Sequence, residues 1–253
     1  MSKDTGISWT DHTFNPWWGC TAVSAGCDHC YAETFDSRLG GDHWGKGKPR
    51  RIFGEEHWQE PIAWNEAARK AGKHALVFCA SMADVMDDEA PAGQRSRLWE
   101  LIAATPYLTW QLLTKRPQRY ARWLPRESLM NIWLGATCED QATYDLRWPI
   151  LRRVADDRDL TTFVSYEPAM GPLSMSGPVP GINHFPVPDW LICGGETGDH
   201  RRPMPTEWAT AIAAECALYG VKFWMKQMSA RTPVLGAALI PAGLLIRQRP
   251  EAE

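Results

Sequence analysis

The sequence has no apolar run long enough to cross a bilayer and no N-terminal stretch with the charged-then-apolar pattern of a signal peptide. It also has little excess charge, since a formal net charge of −3 argues against nonspecific binding to duplex DNA through bulk charge. Its seven cysteines are an odd number and cannot all be paired in disulfides. We therefore expect a cytoplasmic chain without membrane association, in which clustered cysteines are metal ligands or redox groups.

Three of the cysteines lie close together in the spacing Cys20-x6-Cys27-x2-Cys30. Three thiolates from one short loop can converge on a single metal centre and leave one coordination position open. In a four-iron cluster, three Cys ligands leave one iron free for an outside ligand. The amino and carboxylate groups of S-adenosylmethionine can chelate that iron, and one electron from the cluster then releases a radical. The pattern therefore indicates radical S-adenosylmethionine chemistry, although x3 is the more common first gap.

Other uses of these cysteines stay open on chemistry alone. A zinc site with His29 or His12 as the fourth ligand would be closed and tetrahedral, and would stabilise a nucleic-acid-binding or interaction module without catalysis. A metal-dependent hydrolase using Asp84, Glu139 and Glu167 is disfavoured, because the sequence has no His-x-His pair and the cysteines would be idle. The remaining cysteines lie within or near apolar runs and are expected to be buried non-ligands: Cys79, Cys138, Cys193 and Cys216.

Short, almost continuous apolar runs alternate with helical stretches along the chain, which is typical of parallel strands buried on both faces. The predicted strands are about 7–14, 75–79, 109–113, 131–135, 161–165, 189–193 and 221–225, and the predicted helices are 60–71, 92–104, 118–124, 142–154 and 206–219. This order predicts an α/β fold with a single parallel (β/α) barrel, partial and of about six to seven strands. We expect the barrel to span residues 1–230, a long loop at 171–188 and a loosely attached tail at 231–253.

Polar and charged residues follow these runs, and strand ends in a parallel barrel share one rim where active sites are assembled. The residues in question are Ser81 and Asp84, Lys115 and Arg116, Glu139, Glu167, Gly194, Gly195 and Glu196, and Lys226. The loop with the three cysteines follows the first predicted strand, so it is expected at the same rim. A network of mutually paired surface charges is the plainer interpretation of part of this set.

Several ordered motifs make the chain similar to a known family. They are residues 10–20 (TDHTFNPWWGC), 26–33 (GCDHCYAE), 113–117 (LTKRP), 165–168 (SYEP), 194–198 (GGETG) and 223–227 (FWMKQ). Together they resemble a phage- and prophage-borne three-cysteine-motif family of uncharacterised proteins, over residues 7–228. That family in turn resembles radical S-adenosylmethionine enzymes, so the resemblance favours a [4Fe–4S] cluster over zinc and a radical-enzyme barrel.

The resemblance implies roles for the residues at the strand ends. Cys20, Cys27 and Cys30 are expected to ligate the cluster. Cofactor-binding residues are expected among Ser81, Asp84, Glu139, Gly194, Gly195 and Glu196, with Asp84 or Glu196 receiving the cofactor ammonium. Catalytic or substrate-holding residues are expected among Lys115, Arg116, Glu167 and Lys226. In radical enzymes a Gly-Gly-Glu motif follows the second strand, whereas here it falls at residues 194–196.

The same resemblance implies a substrate class and partners. A phage-borne radical enzyme is expected to modify nucleic acid, with an isomerase-type rearrangement of a substituted thymidine as the specific expectation. A base inside a duplex would have to be flipped out to be reached. A flavodoxin or ferredoxin is the expected electron donor.

Overall fold

The computed structural model describes residues 5–127, 129–176 and 186–252. Of the predicted loop at 171–188, residues 177–185 lie outside the described residues. The strands are β1 (His12–Thr13), β2 (Trp17–Trp18), β3 (Arg51–Ile52), β4 (Ala75–Cys79), β5 (Leu108–Thr114), β6 (Ile132–Thr137), β7 (Thr162–Tyr166), β8 (Trp190–Gly194) and β9 (Lys222–Gln227). The α-helices are α1 (Tyr31–Arg38), α2 (Glu55–Lys70), α3 (Gln94–Ala103), α4 (Tyr120–Trp123), α5 (Gln141–Asp156), α6 (Thr206–Tyr219) and α7 (Pro233–Ala238).

Seven parallel strands form one sheet in the order β1-β4-β5-β6-β7-β8-β9. Strands β4, β6, β7 and β8 are buried along their whole length, as expected for apolar strands covered on both faces. The predicted α/β fold, a partial parallel (β/α) barrel, is confirmed. Because the strands are parallel, the residues that follow them emerge at their carboxyl ends.

The first strand is shorter than the predicted 7–14. The peptide N–H of Thr10 donates to the carbonyl of Ile7, which makes a turn where the strand was expected to begin. Beyond that turn, the peptide N–H groups of Asp11 and Phe14 donate to β4 carbonyls, so the pairing with β4 extends past the two residues of β1. Similarly, the helix predicted at 118–124 is a 3-10 turn (Pro117–Arg119) followed by the short α4.

The segment after Ala230 packs more closely than its composition suggested. Thr232 caps α7 by accepting from the Leu235 peptide N–H. Further on, the N–H of Met225 in β9 donates to the carbonyl of Ile246, and the N–H of Gln248 donates to the carbonyl of Phe223. The end of the chain therefore pairs with β9, in contrast to the loose attachment we expected. The predicted domain limits, 1–230 and 231–253, stay a prediction.

The chain divides into two compact units. The first contains, among the described residues, those in 1–23, 32–134 and 251–253. Its core places Phe14 against Trp58 of α2 and Trp110 of β5, both edge-on. Aromatic packing of this kind joins α2 to the sheet in this unit.

The second unit contains, among the described residues, those in 24–31 and 135–250. Its core includes Phe163, Trp190 and Trp224 on neighbouring strands. A Cβ on Gly135 would lie 2.2 Å from the Phe163 ring, so β6 needs glycine at that point. Helix α5 begins with a capping box formed by Asp140 and Thr143.

Among the residues that the structure describes, no helix combines the length and the apolar character needed to cross a bilayer.

Candidate functional site

The cysteine loop, defined here as residues 20–30, carries three half-buried cysteines that form no disulfide: Cys20, Cys27 and Cys30. A 3-10 turn (Ala25–Cys27) shapes its second half, with the Cys27 N–H donating to the Ser24 carbonyl (2.9 Å). In the described part of the chain, no group of three His, Cys, Asp or Glu side chains is arranged to hold a metal ion. The ligand role of the three thiols therefore stays a prediction.

Cys20 lies beside an ion pair in the first unit. Arg116 Nη1 is 3.8 Å from Cys20 Sγ and 2.7 Å from Asp84 Oδ2. Burial and the Asp84 carboxylate raise the pKa of the Cys20 thiol to about 12, and the neighbouring guanidinium opposes them. Without a metal this thiol is protonated at neutral pH.

Asp84 was predicted to receive the cofactor ammonium, and its carboxylate is engaged within the protein. It is 6% exposed and accepts hydrogen bonds from the Thr114 hydroxyl (2.7 Å), the Lys115 N–H (3.2 Å) and Arg116. The Met86 N–H also donates to it, at 2.9 Å. Both carboxylate oxygens have partners in this structure.

Arg116 was predicted to hold substrate, and it is 6% exposed. Besides Asp84 it donates to the carbonyl of Thr21 in the cysteine loop. Lys115, by contrast, is half-buried, and its backbone N–H bonds to Asp84. The guanidinium of Arg116 therefore bonds both to the cysteine loop and to Asp84.

Ser81 lies in a turn that is tied to the approach to the cysteine loop. Asn15 Nδ2 donates to Ser81 Oγ (3.1 Å), and Asn15 Oδ1 accepts from the Met82 N–H (2.7 Å). The Gly19 N–H then donates to the Met82 carbonyl (3.0 Å). Gly19 has φ +113, and a Cβ there would lie 2.3 Å from the His43 carbonyl oxygen, so only glycine suits this crossing.

Glu139 follows β6 in the second unit and is 1% exposed. Arg147 of α5 donates to its Oε2 (2.6 Å), and the Ser24 hydroxyl donates to its Oε1 (2.6 Å). A Cβ on Gly26 would lie 2.5 Å from the same carboxylate oxygen. The carboxylate is therefore packed directly against the cysteine loop.

Glu196 follows β8 and is 6% exposed. Arg202 holds both of its oxygens, at 2.9 Å from Nε and 2.5 Å from Nη2. His29 Nδ1 lies 3.1 Å from Glu196 Oε2. Burial by itself would raise the pKa of Glu196, but the hydrogen bonds from Arg202 and His29 lower it to about 2.

Glu167 and Lys226 face each other at the ends of β7 and β9, with Lys226 Nζ 2.5 Å from Glu167 Oε1. Gln227 Nε2 donates to Glu167 Oε1 (3.1 Å) and to the Gly195 carbonyl (3.0 Å). A Cβ on Gly194 would be 3.3 Å from the Glu167 side chain. This pair is less buried than the others, with about a fifth of each side chain exposed, at 18% for Lys226 and 20% for Glu167.

Sequence reasoning placed the acids together with Arg116 and Lys226, and it missed three further arginines, Arg50, Arg147 and Arg202. Arg147 sits in the buried stripe of α5 formed with Tyr144, Trp148 and Leu151, where a cation needs an anion nearby. That interruption of an apolar helical stripe was a readable signal. Arg50 and Arg202 lie in loops, where there is no helical or strand periodicity to interrupt, so the sequence pattern gave no sign of their pairing.

The fold and the strand-end residues define an α/β protein of the partial (β/α) barrel class. The chain belongs to the family described as "Protein of unknown function (DUF5131)", which matches residues 4–238. None of the curated proteins matches it.

Two solved structures of spore photoproduct lyase variants resemble the chain. One, a single-site mutant, has a TM-score of 0.51 and 12% sequence identity, and the match covers 77% of this chain and 59% of that chain. The other, a double mutant with bound AdoMet and dinucleoside spore photoproduct, has a TM-score of 0.47 and 15% identity, with 63% and 46% covered. The chain thus spans less than two thirds of the length of either lyase chain, and the likeness establishes the fold alone.

Proposed function

We propose that this protein is a radical S-adenosylmethionine enzyme whose cluster is ligated by Cys20, Cys27 and Cys30. The observation that carries the proposal is the cysteine loop itself, with three cysteines outside disulfides after the first strand of a parallel sheet. The family resemblance of the sequence motifs and the partial barrel fold support the same chemistry.

The donor set suits a [4Fe–4S] cluster. Thiolates are the soft ligands that such clusters require, and the three loop cysteines are not consumed by disulfides. When bound, the cluster and S-adenosylmethionine supply a 5'-deoxyadenosyl radical, which abstracts a hydrogen atom from substrate. The protein's part is to hold the thiols, orient both molecules and keep the site dry.

The remaining predicted roles divide by how far each side chain is buried. Ser81, Gly194 and Gly195 are proposed as cofactor contacts through a hydroxyl and backbone groups at strand ends. Lys115, Glu167 and Lys226 are proposed as substrate-holding groups, because they are half-buried rather than enclosed. Asp84, Glu139, Glu196 and Arg116 were predicted as cofactor or substrate ligands, and each is itself buried and held in an ion pair.

For the substrate we propose a nucleic-acid base, with an isomerase-type rearrangement of a substituted thymidine in phage DNA as the specific form. The phage-borne resemblance motivates this choice, and the lysines at the strand ends suit a phosphate or carboxylate. A flavodoxin or ferredoxin as electron donor and a cytoplasmic location accompany the proposal.

One observation favours a second candidate, a zinc-stabilised module without catalysis. His29 lies between Cys27 and Cys30, and its Nδ1 contacts the Glu196 carboxylate at 3.1 Å. A zinc-ligating histidine typically donates its other ring N–H to a carboxylate in this way. The arrangement leaves Nε2 of His29 as the ring nitrogen for a metal.

Cofactor cleavage separates the two candidates. Anaerobically reconstituted and reduced protein should convert S-adenosylmethionine to 5'-deoxyadenosine and methionine, detected by liquid chromatography with mass detection. The Cys27→Ala variant is the negative control, and Cys193→Ala, which alters a fully buried thiol, is the matched positive control. No 5'-deoxyadenosine from reconstituted parent protein would overturn the radical proposal.

A further inference from the structure

Three strand-end carboxylates share one arrangement. Each is at most 6% exposed, and each is paired with an arginine. In every case the pair also reaches a residue of the cysteine loop. The pairs are Asp84–Arg116, Glu139–Arg147 and Glu196–Arg202.

The first pair holds the start of the loop, within the first unit. Arg116 donates to the Thr21 carbonyl and lies 3.8 Å from Cys20 Sγ. Arg50 also contacts this part of the loop, because it donates to the Thr21 hydroxyl (2.7 Å) and to Asp87 (2.9 Å). The loop thus supplies a carbonyl, a hydroxyl and a sulfur to two buried guanidinium groups.

The second pair holds the middle of the loop, within the second unit. Arg147 comes from α5 and donates to the Thr137 carbonyl (2.7 Å) as well as to Glu139. The Ser24 hydroxyl donates to the other oxygen of Glu139, while the Ser24 carbonyl accepts from the Cys27 N–H. One serine therefore connects the ion pair to a predicted ligand.

The third pair holds the end of the loop, also within the second unit. Arg202 donates to the Ala25 carbonyl (3.0 Å) and lies 3.8 Å from Asp28. Its carboxylate partner Glu196 contacts His29, the residue before Cys30. The contacts fall on either side of Cys27.

We propose that these three ion pairs are positioning residues that brace the cysteine loop, and that their carboxylates do not bind the cofactor. Each carboxylate already has charge-assisted partners at hydrogen-bond distance, and a cofactor ammonium would have to displace a bidentate or buried arginine. A loop with a single 3-10 turn needs such outside contacts to hold three thiols in place before a metal arrives. This inference rests on the proposed metal site, because the contacts are proposed to position the thiols for a metal.

Ser24→Ala tests the brace with little risk to the fold, because it removes the loop's contact and leaves the Glu139–Arg147 pair intact. In the metal-free full-length protein, amide hydrogen exchange of residues 24–28 should accelerate by about tenfold or more. Ser24→Thr keeps the hydroxyl and should restore the parent rate. As a matched control, Glu66→Gln breaks an exposed pair with Arg69 and should leave exchange in the loop unchanged.

Metal binding gives the second readout. Titration with Co²⁺, followed by its thiolate charge-transfer absorption, should show about 10- to 100-fold weaker binding in Ser24→Ala and in Arg202→Met. The urea midpoint of metal-free Ser24→Ala should stay near that of the parent, which separates positioning from global stability. Co²⁺ reports on the thiols whether the native metal is iron or zinc, so failure of the radical proposal would not affect this result.

The competing role for the acids makes an opposite prediction. If Glu139 binds the cofactor, Glu139→Gln should lose S-adenosylmethionine in equilibrium dialysis of the reconstituted protein, with loop exchange and Co²⁺ affinity at parent levels. That result, or parent-like exchange in Ser24→Ala, would overturn the brace. Faster exchange together with weaker Co²⁺ binding would support it.

Discussion

The seven cysteines fall into two groups with different surroundings. Cys79 in β4 and Cys193 in β8 are fully buried among apolar strands, and burial is the first cause that raises the pKa of each thiol. Burial also raises the pKa of the Cys20 thiol, yet this side chain lies next to Arg116 and Asp84. Burial alone therefore does not distinguish the two groups. What distinguishes the loop is that charged pairs hold its backbone and side chains, whereas the strand cysteines are packing residues.

The largest effect is expected from the loop cysteines. Cys20→Ala, Cys27→Ala and Cys30→Ala should each abolish S-adenosylmethionine cleavage after anaerobic reconstitution, because each removes one proposed ligand. Bound iron per chain should fall sharply in parallel, measured by a colorimetric iron assay.

Cys79→Ala and Cys193→Ala provide the contrast. They should retain parent iron content and cost only about 1 kcal/mol of unfolding free energy, as for a small buried truncation. Loss of the cluster in Cys193→Ala would show that the proposed ligand set is incomplete.

A smaller effect, on stability, is expected where Gly26 of the cysteine loop packs against the Glu139 carboxylate. In Gly26→Ala the new methyl group would lie 2.5 Å from the Glu139 carboxylate, so the loop or the carboxylate must move. We expect a loss of about 1–3 kcal/mol in urea unfolding, as for other overpacked sites. Gly243→Ala, where no atom lies within 4 Å of the new Cβ, should unfold like the parent. Equal midpoints for the two variants would contradict close packing at residue 26.

Thiol reactivity compares the two groups in the unmodified protein. In metal-free protein, iodoacetamide should alkylate the half-buried Cys27 and Cys30 at least about tenfold faster than Cys79 and Cys193, because the strand cysteines are enclosed and burial raises the pKa of their thiols. Peptide mass mapping over a time course gives the order of labelling. Early labelling of Cys193 would be inconsistent with its enclosed position.

The smallest expected effect is the loss, in acid, of the stability contributed by the Glu196–Arg202 pair. A carboxyl whose pKa is lowered in the folded state stabilises the protein above its ordinary pKa, and that contribution is lost as the pH falls toward the folded value. For Glu196 this loss of stability is expected between pH 4.5, the ordinary pKa, and a pH of about 2, the pKa in the folded protein. Above pH 4.5 the melting temperature of the parent should exceed that of Glu196→Gln by a constant margin. Between pH 4.5 and about 2 this margin should shrink toward zero. A margin that persists to the lower limit would argue against the ion pair.

Much of the fold was predictable because continuous apolar runs mark buried parallel strands, and the predicted runs at 75–79 and 189–193 match β4 and β8 to within one residue. The short pair β2–β3 was missed because strands of two residues have no periodicity to detect. At the candidate site, the acids could be placed at strand ends, since a sheet brings those ends together. Arg116 and Lys226 could be placed there too, whereas Arg50 and Arg202 could not, because both lie in loops and pair with acids across loop segments. Tertiary contacts of that kind leave no local pattern in the sequence.

The most direct test of the account is the metal content of anaerobically reconstituted protein, measured as iron, acid-labile sulfide and zinc per chain together with the visible spectrum. The account predicts a brown protein with about four irons and four sulfides per chain, retained in Cys193→Ala and lost in Cys27→Ala. Stoichiometric zinc with no iron or sulfide, in a colourless protein, would contradict it.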